Sequence, residues 1–143
     1  MSVLVQIADA VVAELNAAGF SRPFTAVRSY RPRFELSELE TLRVSVVARN
    51  VEIEVDSRDP AAHQHDYQVE VAVQTRIAEA DAAHVDPLMD LVEEIADFWR
   101  GRVLDDPDAT CIALEQPAPY FLPHLTEMHV FTSVVTLTFR MRR

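Results

Sequence analysis

Lysine is missing from this 143-residue chain, so all 13 of its basic residues are arginines, set against 23 acids for a formal net charge of −10. A surface this acidic does not clamp nucleic acid by neutralising phosphates over its whole area; where it meets DNA, it must repel it. The all-arginine, alanine-rich composition reads as the stamp of a GC-rich genome rather than of a mechanism. Glycine is nearly missing too, with Gly19 and Gly101 the only 2, and neither follows a strand pattern. A phosphate-cradling loop needs several residues without side chains so that backbone amides can approach an anion, which excludes the familiar nucleotide-binding loops. The 1 cysteine, Cys111, excludes an intramolecular disulfide and fits a reducing compartment. Its setting in "TCIAL" predicts a small buried apolar residue rather than a reactive thiol. Apolar runs are a few residues long, against the roughly 20 that a membrane-spanning helix requires. The opening "MSVLVQIADAVVAEL" has no basic leader and carries Asp9 and Glu14, so the expectation is a soluble protein that is not exported.

What is present is enough apolar material, 49% of residues, to build one domain with a real core. Residues 2–18 read as a helix with Ser2 as N-cap, an apolar stripe of Leu4, Ile7, Val11 and Leu15, and Gly19 as the stop. "FTAVRSY" (24–30) reads as a strand bracketed by Pro23 and Pro32, neither of which can donate to a ladder. The block "TLRVSVVARNVEIEVDSRD" alternates through Leu42, Val44 and Val46 and resumes at Val51, Ile53 and Val55; the phase change near Arg49 and Asn50 predicts a bulge or tight turn. After the loop "SRDPAAHQH", the stretch "YQVEVAVQTRI" alternates again, and the two together predict an antiparallel hairpin with a polar, acidic outer surface. Asp86 and Pro87 predict the start of a second helix, to about Leu104, with Leu88, Leu91, Val92, Ile95, Phe98 and Trp99 buried. "ATCIALEQ" predicts a strand and "PAPYFLPHLTEM" an irregular segment. "MHVFTSVVTLTFRMRR" carries the longest strand pattern, Phe131, Ser133, Val135, Leu137, Phe139 and Met141 alternating with polar neighbours, and a strand of that texture is built to be paired. The order predicts α+β, an antiparallel or mixed sheet with two helices packed on one face, in a single domain covering 1–143.

Chemistry is harder to find. The serines at 2, 21, 29, 37, 45, 57 and 133 include no glycine-flanked strand-to-helix elbow, so a hydrolase is unsupported. Carboxylate pairs for acid/base work are uninformative among so many acids. "HQHD" offers His63, His65 and Asp66 as metal ligands if the imidazoles at i and i+2 converge with another histidine, His84, His124 or His129; the plainer account is a polar loop tip between strands. "EQPAPYFLPHL" sets Tyr120, Phe121, Leu122 and His124 on a stiff, proline-rich segment. Those side chains either fold back over their own core or offer a contact surface.

An N-terminal helix, a hairpin carrying "HQHDYQVEVAVQTRI", the acidic helix "DPLMDLVEEIADFWRGRVL" and a last strand "VVTLTFRMRR" together resemble the tail terminator and tail completion proteins of long-tailed bacteriophages. The likeness is one of layout and strand texture over nearly the whole chain, and segment 116–129 is matched least. It implies a structural virion protein, assembled in the host cytoplasm. Such a protein forms a ring, usually a hexamer, on the head-proximal end of the tail tube, stops tube polymerisation and offers a docking surface to head-completion or connector proteins. It implies no catalysis, no cofactor and no membrane, with DNA only as a passing, repelled cargo. In such a ring Glu52, Glu54, Asp56 and Asp59 are candidate pore-lining acids, although a solvated outer strand face suits them equally. Tyr120, Phe121, Leu122, His124, Arg140 and Arg142 are candidate contacts with neighbouring subunits or partners, and loop 57–65 and segment 116–129 are expected at protein contacts. A connector protein on the portal side of the neck is the nearest alternative, and a small metal-binding domain using His63, His65 and Asp66 a more distant one.

Overall fold

The computed structural model describes residues 2–30, 36–55, 58, 63–117 and 119–142; the side chains of residues 36, 37 and 142 are outside that description. Among the described residues, three helices and a mixed six-stranded sheet make an α+β fold. The first helix, α1, spans Val3–Ala17 and buries Ile7, Ala8, Val11 and Leu15, the stripe expected from spacing of three and four residues. Ser2 precedes it but makes no side-chain cap bond, and the helix ends where Ala18 turns extended. Gly19 is not in the left-handed conformation, so it is not the stop that its position suggested.

The sheet order is β1-β2-β3-β6-β5-β4. β1 (Ala26–Ser29), shorter than the stretch 24–30, runs parallel to β2 (Arg43–Val55), after a 3-10 turn at Leu36–Glu40. β2 pairs antiparallel with β3 (His63–Arg76), and the register shifts between Ala48 and Asn50, the bulge implied by the phase change at Arg49. "HQHD" therefore belongs to a strand and not to a loop tip, a correction explained by continuous pairing from His63↔Val55 to Gln68↔Asn50.

The second helix, α2, spans Ala82–Trp99 and not 86–104. Asp81 caps it by accepting from the His84 amide, 3.1 Å, and Pro87 lies inside, where its lack of an N–H leaves only the Ala83 carbonyl without its usual helical donor. Gly101, at φ +68°, turns the chain after the helix, and Val103–Leu104 become β4, paired with β5 (Ala109–Glu115). Within "PAPYFLPHLTEM", read as irregular, Leu122–Glu127 form a short helix, α3, with Pro123 in its first turn. The last strand, β6 (Val130–Arg142), is internal: it pairs with β3 along its whole length and with β5 from Thr136 to Arg140.

The core lies between one face of this sheet and α1 with α2. Val44, Val46, Val69, Val71, Val73, Phe131, Val135, Leu137 and Phe139 meet Ile7, Val11, Leu15, Leu88, Leu91, Val92, Ile95 and Trp99. Arg102 joins the helices, its guanidinium 4.0 Å from the centre of the Phe98 ring and 2.9 Å from Glu14. The third helix lies on the opposite face, over the side of β6 that carries Thr132, Val134 and Thr136.

Candidate assembly surfaces

Strand length explains the first surface. Thirteen residues of β2 extend about 43 Å and fifteen of α1 only about 22 Å, so the helices cannot cover the sheet end to end. The distal parts of β2, β3 and β6 form an arm, flanked by β5 as far as the Thr110–Arg140 pair and three-stranded beyond it. On its helix-side face Val51 stands opposite Tyr67, Ile53 opposite His65 and Val55 opposite His63, with Met141 across from His65. Val51, Ile53 and Val55 are 37%, 61% and 60% exposed, a continuous apolar strip without the cover that the same pattern receives at Val44 and Val46. His63 and His65 stack at 6.3 Å, and His65 stands 5.9 Å from Tyr67; His65 Nδ1 is buried without a partner.

The other face of the arm carries Glu52, Glu54 and Asp66 against one described base, Arg140. Glu52 stands opposite Asp66, and Asp66 opposite Arg140. Asp66 accepts from Arg140 Nε and Nη2 at 2.9 and 3.1 Å, a bidentate pair. This pairing, reinforced by the nearby charges of Asp66 and Glu54, raises the pKa of Arg140 above its ordinary value. Glu52 and Glu54 share that face. Asp56 and Asp59 lie outside the described residues, as do most of loop 57–65 and the side chain of Arg142. The alternation also separates the candidate metal ligands: His63 and His65 point to the helix side and Asp66 to the other. Among the described residues no group of three His, Cys, Asp or Glu side chains is placed to hold a metal.

Around α3 lies the second surface. Tyr120, Phe121 and Leu122 are 43%, 45% and 55% exposed; they do not fold back into the core. Phe121 is anchored all the same, since its amide donates to the Thr132 carbonyl at 3.0 Å and its ring meets His124 edge-on at 4.5 Å. His124 Nδ1 is 2.9 Å from Thr132 Oγ1. Between this helix and the sheet is an open recess of about 310 Å³ lined by Arg49, Glu70, Phe121, His124, Val134 and Thr136, and Arg49 pairs with Glu70 at 2.5 Å. Arg140, named with this group from sequence, sits on the arm instead.

Sequence reasoning placed Val51, Ile53 and Val55 in a strand without singling out their exposure, and it missed the open edge at Ile112. The signal for the first was the mismatch between strand and helix lengths. For the second there was none, because the bulge between Cys111 and Ala113 leaves no mark in the residue pattern. Compared with known proteins, the chain matches no protein-family model and no curated protein.

Proposed function

We propose that this protein is a structural subunit of a phage-type neck, a ring that caps the head-proximal end of a tail tube, ends its growth and presents a joining surface for the head. The observation that carries this reading is the two-faced arm. One side is an uncovered apolar strip, which gains free energy only when another surface buries it. The reverse is an acidic strip of the sign that lets duplex DNA slide past without sticking. A patch of this kind on a chain of net charge −10 serves assembly better than catalysis.

The arrangement of the tail-terminator family supports the same reading through the order of elements: helix, hairpin, acidic helix and last strand. Tyr120, Phe121 and Leu122 then form a second contact surface, directed to tube or head-joining protein. The test is co-assembly with a tail-tube protein. Purified protein added to growing tubes is expected to stop elongation and to appear as an added ring at one end in negative-stain images. Tubes that elongate unchanged, with no density at their ends, contradict the proposal; binding to portal-side proteins alone moves the protein to the connector side of the same neck.

A further inference from the structure

Among the described residues the sheet is open along parts of both edges. β1 covers β2 only from Val44 to Val47, so among the described residues no strand lies against the far side of Asn50–Val55. At the opposite edge β4 covers only Ala109 and Thr110 of β5, and the Cys111 amide reaches the Arg102 carbonyl at 2.8 Å; beyond it the edge is open from Ile112, 43% exposed. An uncovered edge is a template for another strand.

Direction follows from the pairing. β2 and β3 are antiparallel, as are β3 and β6, and β6 and β5, so β5 runs opposite to β2. Two copies set side by side in the same orientation therefore bring β2 of one against β5 of the next as an antiparallel pair, the arrangement with the better hydrogen-bond geometry.

Shape and charge agree with direction. Beside the open edge of β5, at the end of α2, is a recess of about 340 Å³ lined by Arg100, Gly101, Cys111, Ile112, Ala113 and Leu114. Gly101 keeps its wall free of a side chain. The arm offers Ile53 and Val55 as protruding apolar side chains. Its strand "NVEIEV" carries Glu52 and Glu54 and no base, whereas the recess is bounded by Arg100, which stands 2.8 Å from Asp97.

Resting on the ring reading above, we propose that a second copy of this chain occupies each open edge, the Asn50–Val55 edge of one subunit adding to the Ile112–Glu115 edge of the next with Ile53 seated in the recess. Opposite edges joined head to tail make a heterologous contact, the kind that closes into rings. The terminal strand β6, paired with β3 along its length and with β5 from Thr136 to Arg140, is not the joining strand.

The experiment uses the full chain in a Cys111→Ala background, with Ile53→Cys and Ile112→Cys prepared separately and treated with a short bis-maleimide, alone and mixed, alongside light scattering for mass. The expected result is a dimeric cross-link in the mixture and little in either variant alone. A cross-link in Ile53→Cys alone means that like edges meet and overturns the proposal. An oligomer by mass with no link between the two positions overturns this pairing and leaves the ring reading standing; monomers at every concentration overturn both. Ile53→Arg, at a site too exposed to disturb folding, is expected to weaken self-association about tenfold or more with an unchanged circular dichroism spectrum. Unweakened association counts against the seat assigned to Ile53.

Discussion

Trp99 lies where α2 meets the sheet, fully buried and edge-on to Phe98 and Phe139, with ring centres 5.1 and 5.7 Å away. Trp99→Ala removes that ring from a close-packed site and is expected to cost about 3–5 kcal/mol, read as a lower urea midpoint with little change in slope. Cys111 is a second residue with a measurable signature. Burial pushes its thiol up from the ordinary 9.0 to about 11, so the folded chain holds the proton after the unfolded chain has released it. Its contribution to stability is intact below pH 9 and is lost as the pH rises towards 11. Cys111→Ala should flatten that part of the stability–pH curve, and an unchanged slope would place the cause in other groups. The burial of Cys111 was legible because apolar residues flank it. The exposure of Ile53 was not, because the alternation on its side of the bulge looks like that around Val46 and differs only in whether a helix reaches over it.

Among the elements, α2 shows how local signals compete. Asp86–Pro87 has the form of a helix start, yet Asp81 wins because Ala82 and Ala83 extend a helix readily and Val85 packs against the core. Its carboxylate bonds to the His84 ring and amide, which holds it below the usual carboxylate range. Stability from a depressed carboxylate is present above its unfolded value, 3.8, and is lost as the pH falls through the lower folded one. Asp81→Ala is therefore expected to lower the thermal midpoint at neutral pH, with the gap from the parent protein narrowing below pH 4; a constant gap would contradict the cap. On the arm, the Asp66–Arg140 pair is partly exposed, 18% and 42% for the two side chains, and Asp66→Ala should cost no more than about 1 kcal/mol. The periodicity made α1, the buried stripe of α2, the bulged hairpin and the last strand legible. It could not supply β4 or α3, since two residues of pairing and one turn of helix around a proline are fixed by tertiary contacts and leave no period to read.

For the whole molecule the account joins an uncovered apolar strip, an acidic reverse face and two open sheet edges into one claim, that the chain is a unit of a larger ring. The acidic face has its own test: Glu52→Lys together with Glu54→Lys should leave the ring intact and impair DNA passage or ejection, and normal ejection would assign those carboxylates to solvent alone. Of the candidate sites, the segment carrying Tyr120, Phe121 and Leu122 stood out in the sequence with its exposure left open, whereas the joining edges exist only once the strands have been laid side by side. The most direct measurement is the mass of the purified protein by light scattering coupled to size exclusion, alone and with tail-tube protein. The account predicts a ring-sized species, formed either in solution or on tube ends. A monomer at every concentration, indifferent to tube and connector proteins, would contradict it.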